Sequence, residues 1–263
     1  NRPGPTLAIF AGVHGDERVG VIALKNQSRK IKLKKGCLYI VFANPPAIKK
    51  DRRYIGKNLN RCFYKNNNGQ TYEDKRARRL MNILDKCEAL LDMHAYSNQE
   101  GPVFAICEKS AFDVAKIFDV EIISDGWARV EPGGTDGYMH KNNKVGICLE
   151  FGSISKTTEY LNIAEKSIFQ FLKYYDMVDS KVQFSSNGKE RITAKKAVKF
   201  RSSNFKMNKQ LKNFQKLKKG EFVSEDSGRK KLAAEDEIII FPNPNASVGH
   251  EAYIIARKTG RVY

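Results

Sequence analysis

The sequence predicts an α/β fold: a mixed, largely parallel sheet flanked by helices, followed by a smaller all-β domain. Three observations lead there. Nearly continuous apolar runs at 7–10, 37–43, 89–93, 103–107 and 145–151 suit strands covered on both faces. Helical patterns separate or follow them, and strands alternating with helices imply a parallel sheet. After about residue 180 the texture changes to short alternating or apolar runs between Gly, Asn, Pro and Lys clusters.

In chain order, the first run, LAIF, leads into AGVHGDERVG and a helical pattern over 17–29. The second run, at 37–43, precedes a basic loop, and 72–86 (YEDKRARRLMNILDK) then reads as a helix before the run ALLDM. A short helix is expected over 110–118 and a long one over 157–178, where Leu161, Ala164, Ile168, Leu172 and Tyr175 recur at spacings of three and four as one apolar stripe. Beyond it, 195–200, 237–241 and 252–256 read as strands. The boundary is placed near 178–184, giving a domain over 1–180 and a β-rich domain over 181–263 expected to cap the active site.

A chain of 263 residues can bury one large core, or a large and a small one. No apolar stretch approaches the roughly 18–20 residues of a membrane span, so a soluble, cytoplasmic protein without a membrane partner is expected. The first residue is Asn1, which leaves room for residues upstream, a removed targeting segment included. Five scattered cysteines without a CxxC pair read as reduced thiols. The formal charge of +18 invites a nucleic-acid reading, with dense basic patches at 29–35, 49–53, 189–201 and 206–219. No nucleic-acid-binding pattern accompanies them, so a solvated surface that draws anionic substrates is the favoured reading.

In an α/β sheet, ligands gather at the carboxyl ends of strands. His14 and Glu17 follow the first run, His94 ends the third and Glu150 ends the fifth. Two imidazoles and a carboxylate, with one position left for water, make a catalytic zinc site, although the helical HExxH signature is absent. Bare histidines and carboxylates at the ends of buried strands are costly without partners. For Glu150, pairing with one of the many arginines is the competing explanation.

GVHGDE, RYIGKNLNRCF, LLDMHAYSN and GICLEFG, in this order, resemble the aspartoacylase and succinylglutamate desuccinylase family, a branch of the zinc carboxypeptidase fold. The resemblance covers most of the chain, the β-rich C-terminal part included. It implies one Zn²⁺ held by His14, Glu17 and His94, and Glu150 as the catalytic carboxylate. Arg53, Asn60 and Arg61 match the family's substrate-binding arginine, asparagine and arginine, and Tyr253 matches a phenol that the second domain supplies. In this scheme Glu150 takes a proton from water and passes it to the departing amine, Arg53 steadies the oxyanion, and Asn60 and Arg61 hold the substrate carboxylate. Taken alone, the 51–63 segment also reads as a basic surface loop, and Tyr253 as an ordinary strand tyrosine beside exposed His250 and Glu251.

The pattern departs from the family at Asn58, where members usually carry an aspartate that accepts the N–H of a ligand histidine. Asp92 shares a strand face with His94 and is a candidate to orient a ligand, a structural carboxylate being the simpler reading. Between Gly133 and Lys144, Tyr138, His140 and Lys141 are candidates to meet an acyl carboxylate. The expected activity is zinc-dependent hydrolysis of an N-acyl amino acid. The alternatives are a metallocarboxypeptidase acting on a peptide C-terminus and a non-catalytic basic binding protein.

Overall fold

The structure, a computed structural model, describes residues 2–96 and 100–263. Its strands are β1 (Thr6–Ala11), β2 (Cys37–Phe42), β3 (Ala89–Tyr96), β4 (Phe104–Ile106), β5 (Ile122–Asp125), β6 (Val145–Ser153) and β7 (Lys189–Lys199). Six more follow: β8 (Lys206–Met207), β9 (Gln215–Leu217), β10 (Phe222–Asp226), β11 (Arg229–Leu232), β12 (Glu237–Ile240) and β13 (Glu251–Val262). The helices are α1 (Arg18–Ser28), α2 (Pro45–Lys50), α3 (Tyr72–Leu84), α4 (Phe112–Ala115), α5 (Trp127–Val130), α6 (Thr135–Lys141) and α7 (Thr157–Tyr174).

One ten-stranded sheet runs in the order β2-β1-β3-β6-β4-β5-β7-β13-β12-β9, and β11-β10-β8 form a second, antiparallel sheet. Pairing is parallel from β2 through β6; β4 runs antiparallel to β6, β5 is parallel to β4 and to β7, and the remaining pairs, β7-β13, β13-β12 and β12-β9, are antiparallel. Strands on either side of residue 180 therefore share one sheet through β5 and β7. All five apolar runs form strands, as their continuity requires, because both faces are covered. On β1, Leu7, Ile9 and Ala11 pack toward α1 and α7, while Ala8 and Phe10 pack toward α3 and α6. A third cluster, with Phe104, Trp127, Ile192, Ile240 and Ile254, continues the core into the C-terminal strands.

Some elements differ from expectation. The segment 110–118 makes a 3₁₀ turn and the single helical turn α4. Strand β5 is four residues inside an acidic stretch, too short for a periodicity signal, and α2 rests on local chemistry: Asn44 accepts the N–H of Ala47, with proline in the first turn. Helix α3 begins with a full capping box, Thr71 with Asp74.

Candidate metal centre and active-site cavity

The functional side chains stand where the sheet lets the chain leave it. After β1, Gly12 takes a left-handed φ of 68°, which turns the chain away from the strand direction. Gly15 then passes so close to α2 that a Cβ there would collide with the Ala47 carbonyl group. This tight passage sets His14 before, and Glu17 at, the N-cap of α1. On the neighbouring strands, His94 of β3 lies in register with Glu150 of β6.

Glu17 sits between the two imidazoles. Its Oε1 lies 2.7 Å from His14 Nδ1 and its Oε2 lies 2.8 Å from His94 Nδ1. The Ala95 N–H donates to the same Oε2 at 3.1 Å, and Arg53 Nη1 donates to Oε1 at 2.9 Å. His14, Glu17 and His94 are all buried, and their ligand atoms lie within 4.8 Å of one another. The far nitrogens also have neighbours: His14 Nε2 is 2.9 Å from Asn58 Oδ1, and His94 Nε2 is 3.0 Å from Asp92 Oδ2. Outer acceptors that orient ligand rings are the usual second tier of a metal site, so the residues present fit a divalent ion. The fit at His94 is looser, because Asp92 Oδ2 already accepts from Thr135 Oγ1 at 2.5 Å and Nε2 makes no aligned hydrogen bond.

The electrostatics follow from burial and the charges in contact. Burial, reinforced by Arg53, lowers His14 to about 4, leaving a neutral ring with a free lone pair at neutral pH. Burial resists charge on His94, but Asp92, Cys148 and Glu17 outweigh it and hold the ring well above the usual histidine range. A metal must therefore displace a proton there. Burial alone would raise Glu17, yet His14 and His94 draw its carboxyl well below the usual range. Glu150 goes the other way, raised to about 8 by burial and then by the Glu17 carboxylate; its Oε2 has no hydrogen-bond partner.

Above this cluster opens a cavity of about 590 Å³, lined by Glu17, Arg53, Asn58, Arg61 and Glu150. Asp16, Tyr54, Lys57, Tyr96 and Glu131 complete one side, and Phe241, Asn243, His250, Glu251 and Ile254 come from the C-terminal strands and loop. Arg61 is engaged internally: its Nη2 pairs with Glu131 and its Nη1 donates to the Asn60 carbonyl at 2.9 Å.

Several expected contacts lie elsewhere. Asn60 is turned to the start of α6, its Oδ1 accepting the Thr135 N–H at 3.1 Å, because a helix N-terminus offers unpaired donors. Tyr253 is fully buried among Phe200, Val223 and Ile255 with its hydroxyl 2.8 Å from Ser224 Oγ. It therefore does not line the cavity; Glu251 and Ile254 of the same strand do, across a bulge between 251 and 253. Tyr138 donates to Asp85 at 2.6 Å on the far side of α6, and His140 is exposed near Ser110. Sequence reasoning missed Glu131 and set aside His250 and Glu251; no local motif marks them, since only the fold brings their loops to this opening.

Residues 3–175 match the succinylglutamate desuccinylase/aspartoacylase catalytic domain, and residues 191–259 match the AstE/AspA barrel-sandwich hybrid domain. A probable aspartoacylase from Nostoc sp. is 25% identical over 188 residues, which is 65% of this chain and 64% of that protein. An N-acyl-aromatic-L-amino acid amidohydrolase (carboxylate-forming) from Rattus norvegicus is 29% identical over 172 residues, 57% of this chain and 54% of that protein. These matches thus span somewhat over half of each relative's length. Among solved structures, succinylglutamate desuccinylase from Vibrio cholerae superposes with a TM-score of 0.81 at 19% identity, covering 98% of this chain and 82% of that one, a likeness of fold. The chain belongs to the succinylglutamate desuccinylase/aspartoacylase family of amidohydrolases.

Proposed function

We propose that this chain hydrolyses the amide bond of a small N-acyl amino acid, with a divalent ion on His14, Glu17 and His94 and Glu150 as general base. The observation that carries the reading is one convergence: three buried donors lie within 4.8 Å of one another, beside a buried carboxylate with an unpartnered oxygen, and Glu17 and Glu150 of this group line a cavity. Two histidines and a glutamate make zinc the expected ion. Such an ion, when bound, supplies Lewis acidity that polarises an amide carbonyl and acidifies water.

The chain's own groups do the rest. Glu150 Oε2, buried and without a partner, accepts a proton from the attacking water and returns it to the departing amine nitrogen; a cation held beside it would oppose the upward pull of burial and Glu17 and keep the carboxylate ionised. Arg53, exposed yet anchored on Glu17, stands ready to steady the developing oxyanion. Arg61 takes the substrate carboxylate by exchanging its Glu131 partner for the ligand. Residues of the 181–263 part, Phe241, Asn243 and Ile254, wall the cavity and limit it to short substrates. No described helix is long and apolar enough to cross a membrane.

The test is a panel of N-acyl amino acids and short peptides offered to the metal-loaded chain, with Glu150→Gln as control. The reading expects turnover of an acyl amino acid and a loss of about 10²–10⁴-fold in kcat in the variant at equal metal content. Turnover undiminished by Glu150→Gln, or confined to peptide C-termini, overturns it.

A further inference from the structure

The orientation of His94 depends on a carboxylate that the ring itself does not hold. His94 Nδ1 faces Glu17 and the proposed ion, so the ring's proton belongs on Nε2, 3.0 Å from Asp92 Oδ2. That contact is short but not aligned, and Asp92 Oδ1 has no hydrogen-bond partner. Among the described residues one aligned donor reaches the Asp92 carboxylate: Thr135 Oγ1, 2.5 Å from Oδ2. Asp92, His94 and Thr135 are buried at 0%, 1% and 0% exposure, so bulk solvent offers no substitute donor.

Thr135 is in turn fixed from the side of the other ligand ring. It opens α6, and its N–H donates to Asn60 Oδ1 at 3.1 Å. The Asn60 N–H donates to Asn58 Oδ1 at 2.9 Å, and the same oxygen lies 2.9 Å from His14 Nε2. The Phe63 N–H, donating to the Gly133 carbonyl at 3.1 Å, docks this segment on the turn before α6. His14 and His94 thus hang from one hydrogen-bonded frame that passes through Thr135. A carboxylate oxygen carries two lone pairs, and Thr135 occupies one of Oδ2 while leaving the other for the ring. Without that bond the carboxylate is free to rotate, and a buried Nε2–H that loses its acceptor is costly. Neither Thr135 nor Asp92 lines the cavity, so both reach the reaction only through His94.

We infer that Thr135 is a positioning residue for the metal centre: its hydroxyl aims the Asp92 carboxylate at His94 Nε2 and so keeps the Nδ1 lone pair on the ion's side. This role deepens the proposed function and rests on its ion site. It gives a part in holding the metal to a side chain that is hydrogen-bonded to none of the three ligands. Outer partners of ligand histidines govern metal affinity by about 10- to 100-fold.

The test is zinc affinity, read by competition with a chromophoric chelator, on the whole chain and on Thr135→Val, which removes the hydroxyl at nearly constant shape. The expected result is zinc held about 10-fold more weakly with circular dichroism unchanged, while Thr135→Ser, which keeps the donor, holds zinc as the parent does. Thr135→Ala replaces the valine variant if valine unsettles α6. In an Asp92→Asn background the loss from Thr135→Val should shrink to about 2-fold or less, because the group it aims is already changed. Proton NMR of the zinc-loaded chain adds a signature that a purely structural role does not move: a downfield His94 ring N–H, present in the parent and in Thr135→Ser and lost in Thr135→Val. Parent-like zinc affinity in folded Thr135→Val, a serine variant as weak as the valine one, an undiminished loss in the Asp92→Asn background or a ring signal indifferent to Thr135 overturns the inference. A parent chain that binds no zinc fails the ion site and this role with it, whereas zinc bound regardless of Thr135 fails this role alone.

Discussion

Replacing Asn58 by aspartate tests how the centre is tuned. Asn58 Oδ1 receives His14 at 2.9 Å and the Asn60 N–H at 2.9 Å, so one carboxylate oxygen can keep both contacts. Asn58 also lines the cavity, which leaves the second oxygen of the new carboxylate near solvent. What changes is charge. An opposite charge within hydrogen-bond reach commonly moves a pKa by about 1–3 units, each worth about 1.4 kcal/mol. Burial and Arg53 hold His14 at about 4, and the added carboxylate should bring it back toward the ordinary histidine value. At pH 7.5 the ring stays neutral, so the gain in basicity reaches the metal, with zinc affinity rising up to about 10-fold and hydrolysis unchanged or faster. Competition with a chromophoric chelator reads the affinity, and a proton NMR titration of the ion-free chain reads the ring. Zinc held more weakly by Asn58→Asp, or a ring whose titration does not move, refutes the reasoning.

Three further predictions follow from the same structure. Asp74 is lowered to about 2: burial opposes this, but Thr71 and Lys57 outweigh it. Its contribution is present above the unfolded value of 3.8 and is lost as pH falls through about 2, so Asp74→Asn should cost about 1–2 kcal/mol at pH 7, discounted for the exposed Lys57 end, and much less at pH 2; denaturant melts at the two pH values measure this, and an equal cost at both contradicts it. Glu131→Gln should free Arg61 for substrate and lower KM for carboxylate-bearing acyl amino acids by about 3- to 10-fold, roughly 1 kcal/mol; a KM that rises shows instead that Glu131 holds the arginine in its working position. Tyr253→Phe should lose the Ser224 hydrogen bond, at about 1 kcal/mol of stability, without altering KM; a higher KM restores the tyrosine to the cavity.

What could be read in the sequence was what depends on local pattern. Continuous apolar runs gave the buried strands, and the rule that ligands gather at strand ends picked out His14, Glu17, His94 and Glu150, which the fold brings together. Asp92 was visible as a candidate because two-residue spacing puts it on the face of His94. What depended on which way a strand residue faces, or on which loops meet, was hidden. Tyr253 is one position from cavity-lining Ile254, and a bulge in β13 makes alternation an unsafe guide there. Asn60 satisfies a backbone donor of α6, a helix that the Gly-rich 133–144 stretch conceals in sequence. Glu131 meets Arg61 across some seventy residues of chain, a pairing that no motif records.

The central claim is that His14, Glu17 and His94 share one ion, and the most direct measurement is zinc stoichiometry by equilibrium dialysis. The account predicts one tightly held zinc per chain, retained in Glu150→Gln and lost in Glu17→Gln and in His94→Ala variants that still fold. Stoichiometric zinc in the Glu17 and His94 variants, or none in the parent, would contradict it.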